Sequence, residues 1–324
     1  METNHPPGRP GGDVPQGRTL PQVIRSSRDR EAEVRARHRR GKLRKIRHGI
    51  YVESAGQLPA ASVAVRRERE HLVNLAATLS SLRTDLWVSH TSAALLWGCW
   101  TYRLGATAEI TQLHPPDVRA SAGPVRRHWT DLPERDRTLL GDVPVTTLER
   151  TVVDCARSLP GDQAIVVVES ALRIGCDGAL VAAILKESTG RRGVRSARRV
   201  LDVADGRVES PGEARLRWML LSAGLPYPDA AIPVETWAGE RWVDLGWPDL
   251  QVGFEFDGRL KYAGLPPAQL EQVLYEEKRR HDALVEAGWI LIRVSWADLD
   301  DPEALLRRVD AARRRARARL RGAR

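Results

Sequence analysis

The feature that most constrains this chain is a change of rhythm after Gly206. Through Gly206–Ser210 the sequence leaves a helical stretch, and short strand-like runs then alternate with helices. A helix opening on Pro211 is expected over 211–223, followed by strands at 229–236, 241–246 and 251–257. A helix at 268–287, a strand at 289–294 (WILIRV) and a terminal helix from Pro302 complete the series. This order of elements belongs to an α/β domain, placed at residues 207–306, with 307–324 as a basic helix or tail.

The chain before Gly206 reads differently. Residues 1–24 lack periodicity and carry Pro6, Pro7, Pro10 and Pro15, which predicts disorder. A basic helix to about Arg39 is followed by two short strands, Leu43 to Ile46 and Gly49 to Val52, turned at Arg47 and His48: a helix and a wing at 25–60. A packing helix from Ser62 to Leu82 uses Val63, Val65, Leu72, Leu75, Leu79 and Leu82. In VSHTSAALLWG, Ser89 or Thr91 is placed to cap a short helix that Gly98 closes. Adjacent residues on a helix point apart, so His90, Thr91 and Ser92 read as a capping turn rather than as a nucleophile with its base. Strands at 107–113 and 125–129 precede VTTLERTVVDCARSL, whose Leu148, Val152, Cys155 and Leu159 fall on one helical face. Helices continue to about 204, giving an α+β region over 61–206.

A chain of 324 residues suits two domains. Its charge is unevenly placed. Residues 1–50 hold thirteen Lys/Arg against five Asp/Glu, residues 307–324 hold nine Arg against one Asp, and the body between them carries −7 of a net +9. Basic ends fit contact with a polyanion, because cationic groups gain affinity by displacing counterions from phosphates. No run approaches the length of a membrane span and no secretory h-region opens the chain, so a cytoplasmic protein without membrane contact is expected. Cys99, Cys155 and Cys176 stand singly, as buried reduced thiols do.

Three acids in the last third deserve weighing together: Glu213 on the first helix, Asp244 in RWVDLGW and Glu255 in VGFEFDG. A hairpin can bring Asp244 and Glu255 to one sheet edge although they stand eleven positions apart. Two close carboxylates repel unless a cation sits between them, and hard oxygens select Mg²⁺ or Mn²⁺. In phosphodiester hydrolysis such an ion activates water and neutralises phosphate charge. The plainer reading is three solvated acids. Trp218, Trp242, Trp247, Trp289 and Trp296 are expected mainly in the core.

The blocks ESPGEARLRWMLLSAGLP, RWVDLGWPD, VGFEFDGRLKY and EEKRRHDALVEAGWILIRVSWADL, in that order, resemble the PD-(D/E)XK restriction-endonuclease superfamily, in its branch related to very-short-patch-repair endonucleases. The resemblance implies a mixed sheet flanked by helices, with Asp244 and Glu255 as metal ligands and Glu213 as an accessory acid. It departs at Asp257, where the family carries a lysine. Lys261 and Lys278 are the candidates for that missing cation, and Asp257 is a candidate further ligand. Upstream, HRRGKLRKIRHGIYV, VSHTSAALLWG, VPVTTLERTVVDCARSL and ESALRIG resemble AbiEi-type antitoxins of type IV toxin–antitoxin systems. This implies a winged helix-turn-helix whose Arg39, Arg40, Lys42, Arg44, Lys45 and Arg47 contact DNA phosphates, and a cognate toxin-like protein as partner. The expectations are therefore a metal-dependent DNA endonuclease, a non-catalytic DNA-binding regulator, or a structural partner in a defence system.

Overall fold

The computed structural model describes residues 16–54, 62–82, 84–115, 125–257 and 267–322. Those residues form an α/β protein with three sheets, and the chain divides into two compact units, one over Pro15–Asp202 and the other running from Val203 to the carboxyl end. No helix among the described residues is long and apolar enough to cross a membrane.

The amino-terminal unit opens with a three-stranded antiparallel sheet in the order β1 (Val23–Arg25), β3 (Ile50–Glu53), β2 (Leu43–Arg47). A 3-10 turn, Arg28–Arg30, leads into α1 (Glu31–Arg39), and Val34, Leu43 and Tyr51 close a small core with Ile24. The expected hairpin is present, turned through Gly49 at φ +70°, and it gains an unexpected partner in β1, a strand too short to show a period. Helix α2 (Val63–Ser81) starts where Ser62 Oγ accepts the Val65 amide at 3.2 Å. Val63 and Val65, expected to pack, are instead exposed; burial starts at His71, because Arg66, Arg67 and Arg69 keep the first turns in water.

A five-stranded sheet follows in the order β6-β5-β4-β8-β7, built from β4 (Trp87–Val88), β5 (Ala108–Gln112), β6 (Val125–Trp129), β7 (Arg137–Leu140) and β8 (Val143–Thr146). Helix α3 (His90–Trp97) ends on Gly98 at φ +88°, where a Cβ would also strike the Gln16 backbone at 2.4 Å. The expected side-chain cap is replaced. Ser89 makes no capping bond; the Glu109 carboxylate on β5 accepts from the Thr91 amide at 3.0 Å and from its hydroxyl. Helices α4 (Leu148–Ser158), α5 (Gly161–Arg173), α6 (Gly178–Glu187) and α7 (Val194–Leu201) complete the unit. On α4 the buried Arg150 donates to Asp136 at 3.0 Å and Asp154 at 2.9 Å, both also buried. Cys99, Cys155 and Cys176 are buried and unpaired.

The carboxy-terminal unit is organised around one four-stranded sheet. Strands β9 (Asp229–Thr236), β10 (Gly239–Trp247) and β11 (Val252–Phe256) form an antiparallel meander; α9 (Pro267–Glu286) then carries the chain to β12 (Ile290–Val294), which pairs parallel to β11. The order is β12-β11-β10-β9. Helix α9 packs on the sheet through Leu284, which joins Ile232, Val243 and Trp289 in a buried cluster. Helix α8 (Pro211–Ser222) is set on Ser210, whose Oγ accepts the Glu213 amide at 3.2 Å. It lies so close to the sheet that a Cβ on Gly212 would meet the Phe256 ring at 2.1 Å. A capping box at Ser295 and Asp298 starts α10 (Trp296–Asp300), and α11 (Pro302–Gly322) runs through residue 307 without a break.

Candidate active site

Asp244 and Glu255 lie on neighbouring strands, one step beyond the paired Leu245 and Phe254, where the β10–β11 ladder ends. The Asp244 Oδ2 accepts the Phe256 amide at 3.0 Å, which fixes this carboxylate beside β11. Glu255 is almost fully buried, and a buried carboxylate persists as an ion only with charged or hydrogen-bonded partners. It has three. Arg280 Nη2 donates to Oε1 at 2.9 Å, His281 Nδ1 lies 3.1 Å from Oε2, and Arg293 Nε stands 3.8 Å from the same oxygen. Arg280 also spans the pair, with Nη1 3.9 Å from Asp244 Oδ1.

Glu213 enters from α8. Its carboxylate accepts from the Glu209 amide at 2.8 Å and shares a 2.7 Å bond with Ser210 Oγ, while it lines a small cavity with Glu209, Ala231, Trp242, Val243 and Asp244. Burial first, and then the Asp244 charge, push its pKa up to about 8. At neutral pH Glu213 is therefore chiefly a neutral acid, able to donate a hydrogen bond.

The remaining candidates divide. Asp257 is exposed, anchored by its amide to Val294 O at 2.8 Å, and lines a pocket with Glu255, Phe256, Glu277, Arg280 and Arg293. Lys278 is exposed on α9, and Lys261 lies outside the described residues. Helical geometry explains why Lys278 does not face the acids. At about 100° per residue it sits about 120° round the helix from Leu284, which faces the sheet, whereas Arg280 and His281 flank Leu284 at about 40° and 60°. Sequence reasoning passed over Arg280 and His281; their i−4 and i−3 spacing from an apolar Leu284 was the available signal. Among the described residues no group of three or more His, Cys, Asp or Glu side chains converges on a metal position. A cation here would be held by the carboxylate pair, with Asp257 outside that set.

The expected nucleic-acid face is likewise divided. Arg39 at the end of α1, Arg40 and Lys42 in the turn that follows it, and Lys45 on β2 are exposed. Arg44 is drawn instead to α2, donating to both Glu70 oxygens at 3.1 and 2.9 Å. Arg47 donates to Thr78 Oγ1 at 2.7 Å and the Asn74 carbonyl at 3.3 Å, and burial lowers its pKa. Of the tryptophans expected mainly in the core, Trp247 and Trp289 are buried, with Trp247 Nε1 donating to Pro226 O at 3.1 Å, whereas Trp218, Trp242 and Trp296 are half-buried.

No family model matches the chain. Two proteins of Mycobacterium tuberculosis, from strains CDC 1551 / Oshkosh and ATCC 25618 / H37Rv and both described as uncharacterized, are each 34% identical over 175 residues. The alignment takes in 53% of this chain and 62% of each relative.

Proposed function

We propose that the carboxy-terminal unit is a metal-dependent phosphodiesterase of restriction-endonuclease type, related to the very-short-patch-repair branch and acting on DNA. The observation that carries the reading is that Asp244 and Glu255, from adjacent strands, lie within reach of one cationic group, Arg280, at 3.9 and 2.9 Å. The donor set fits Mg²⁺ or Mn²⁺, since these hard cations take one or two carboxylates and complete their shell with water. Asp244 and Glu255 would hold the ion, which when bound activates water and neutralises charge on the scissile phosphate.

The chain's own groups supply the rest. His281 and Arg293 hold the Glu255 carboxylate in orientation. Arg280 provides the positive charge that Asp257 cannot, opposite where negative charge grows on the phosphate. Glu213, kept neutral beside Asp244, is an accessory acid placed to donate a proton or hydrogen bond. In the amino-terminal unit, α1 and the β2–β3 hairpin act as a winged-helix-like phosphate contact through Arg39, Arg40, Lys42 and Lys45.

The test is nicking of supercoiled plasmid by purified protein in Mg²⁺ or Mn²⁺. Wild type should nick; Asp244→Ala should lose activity at least about 100-fold, as loss of a metal ligand does. Equal behaviour of the two proteins in every metal sinks the enzyme reading. A second reading rests on the exposed basic hairpin: a DNA-binding regulator of antitoxin type with a toxin-like partner, or a structural partner in a defence system, working without cleavage. Gel shifts that persist with no cleavage would favour it.

A further inference from the structure

The oxygens a metal would need are the ones Arg280 faces. Asp244 Oδ2 is engaged by the Phe256 amide and Glu255 Oε2 by His281, with Arg293 beside it. The other oxygen of each acid, Asp244 Oδ1 and Glu255 Oε1, is turned to the two terminal nitrogens of the Arg280 guanidinium. A guanidinium is planar, permanently charged and forked, so one such group can serve two carboxylates that would otherwise repel.

We infer that Arg280 is a built-in counter-cation of the carboxylate pair, which a divalent ion must displace, so that this residue sets the metal concentration at which the site loads. The inference rests on the metal-binding reading of Asp244 and Glu255. Two like charges at contact distance cannot share Oδ1 and Oε1, so the guanidinium leaves as the ion enters. Somewhere to go is at hand: Arg280 is about one quarter exposed, and the carboxylates of Asp257 and Glu277 line the pocket that it also lines. That gives Asp257 a use at the position where the family pattern has a lysine. It receives the displaced guanidinium at the mouth of the site, within reach of an incoming phosphate.

Arg280 belongs to the binding machinery, so the test reads metal occupancy as well as cleavage. Full-length wild type, Arg280→Gln, Arg280→Lys and Lys278→Gln are titrated with Mn²⁺ and bound metal is read by electron paramagnetic resonance, with near-ultraviolet circular dichroism to verify folding. Arg280→Gln should bind Mn²⁺ at least about tenfold more tightly than wild type, and the gain should vanish when Asp244→Asn is added. Arg280→Lys, which keeps the charge but cannot span both acids, should fall between. Lys278→Gln removes the same charge from an exposed site on the same helix and should change affinity less than about twofold. An unchanged or weaker affinity in Arg280→Gln overturns the inference, as does an equal gain in Lys278→Gln, or Mn²⁺ binding by none of the proteins. If Arg280→Lys binds no more tightly than wild type when Arg280→Gln fails to fold, it is likewise overturned. The two readings fail separately. Tighter Mn²⁺ binding without plasmid nicking by any protein leaves the counter-cation standing and removes the hydrolase; nicking by wild type with no gain in Arg280→Gln does the reverse.

Discussion

Glu213 shows how far a single residue's chemistry departs from its type when the fold buries it. A carboxyl that titrates near 4.5 in an open chain holds its proton to about pH 8 here, because burial and Asp244 both penalise its charge. The folded state therefore binds one more proton than the unfolded chain between those values. Stability must fall as pH rises through that window and level off above it. Glu213→Gln, which is neutral throughout, should remove this slope, as urea midpoints at about pH 5, 7 and 9 will show; a variant curve parallel to wild type would contradict the assignment. Buried His90, whose pKa burial lowers to about 4, opposes the trend between that value and 6.5, since there the unfolded chain binds the extra proton. The difference between variant and wild type is thus the quantity to read.

Among elements, the β2–β3 hairpin separates charges that look alike in the sequence. Arg44 and Arg47 are spent on α2, whereas Lys42 and Lys45 project from the same hairpin into solvent. If the hairpin contacts DNA, Lys45→Ala should weaken binding alike across sequences and lower the salt-dependence slope by about 1. Arg47→Ala should instead cost stability, about 1.5–3 kcal/mol for a lost charged hydrogen bond, seen in the denaturation midpoint of the free protein. The same distinction governs α9, where four consecutive residues from Glu277 to Arg280 are charged and rotation alone selects which of them meets Glu255.

Over the whole molecule, each unit has its own core: Leu75, Val88, Ala93, Leu96, Ala108 and Val145 in one, and Ile232, Val243, Leu284 and Trp289 in the other. Separate cores predict two unfolding transitions in scanning calorimetry. Two variants assign them. Arg150→Ala takes from buried Asp136 and Asp154 the cation hydrogen-bonded to both, leaving only Arg135 and Arg157 at 3.7 Å, and should lower the amino-terminal transition strongly, by about 3 kcal/mol. Gly212→Ala drives a methyl group into the Phe256 ring and should lower only the carboxy-terminal one, by about 1–3 kcal/mol. A single transition shifted by both would show the units to be energetically one.

Charge at this scale also takes a definite form. The nine arginines over 307–324 do not simply form a tail: those to Arg321 lie on α11, whose Leu305, Val309, Ala312 and Ala316 make a buried stripe at helical spacing.

Periodicity and punctuation carried the carboxy-terminal unit. Pro211 after Ser210 marked the start of α8, and the alternating runs marked β9 to β12 within two residues, because caps and patterns are local properties of the chain. Strands β1, β4, β7 and β8, of two to four residues, are too short to show a period and exist because neighbouring strands bond to them. Local pattern alone was enough for the order of elements in the carboxy-terminal unit and for the two strand carboxylates, Asp244 and Glu255. What meets those acids depends on packing: Arg280 and His281 rather than Lys278 on α9, and a neutral Glu213 from α8. The reason is physical. Secondary structure is written in neighbours three or four residues apart, whereas the charge state and partners of a buried acid depend on how helices are rotated on the sheet. That rotation is set by the packing of Leu284 and Gly212, not by the charged residues themselves.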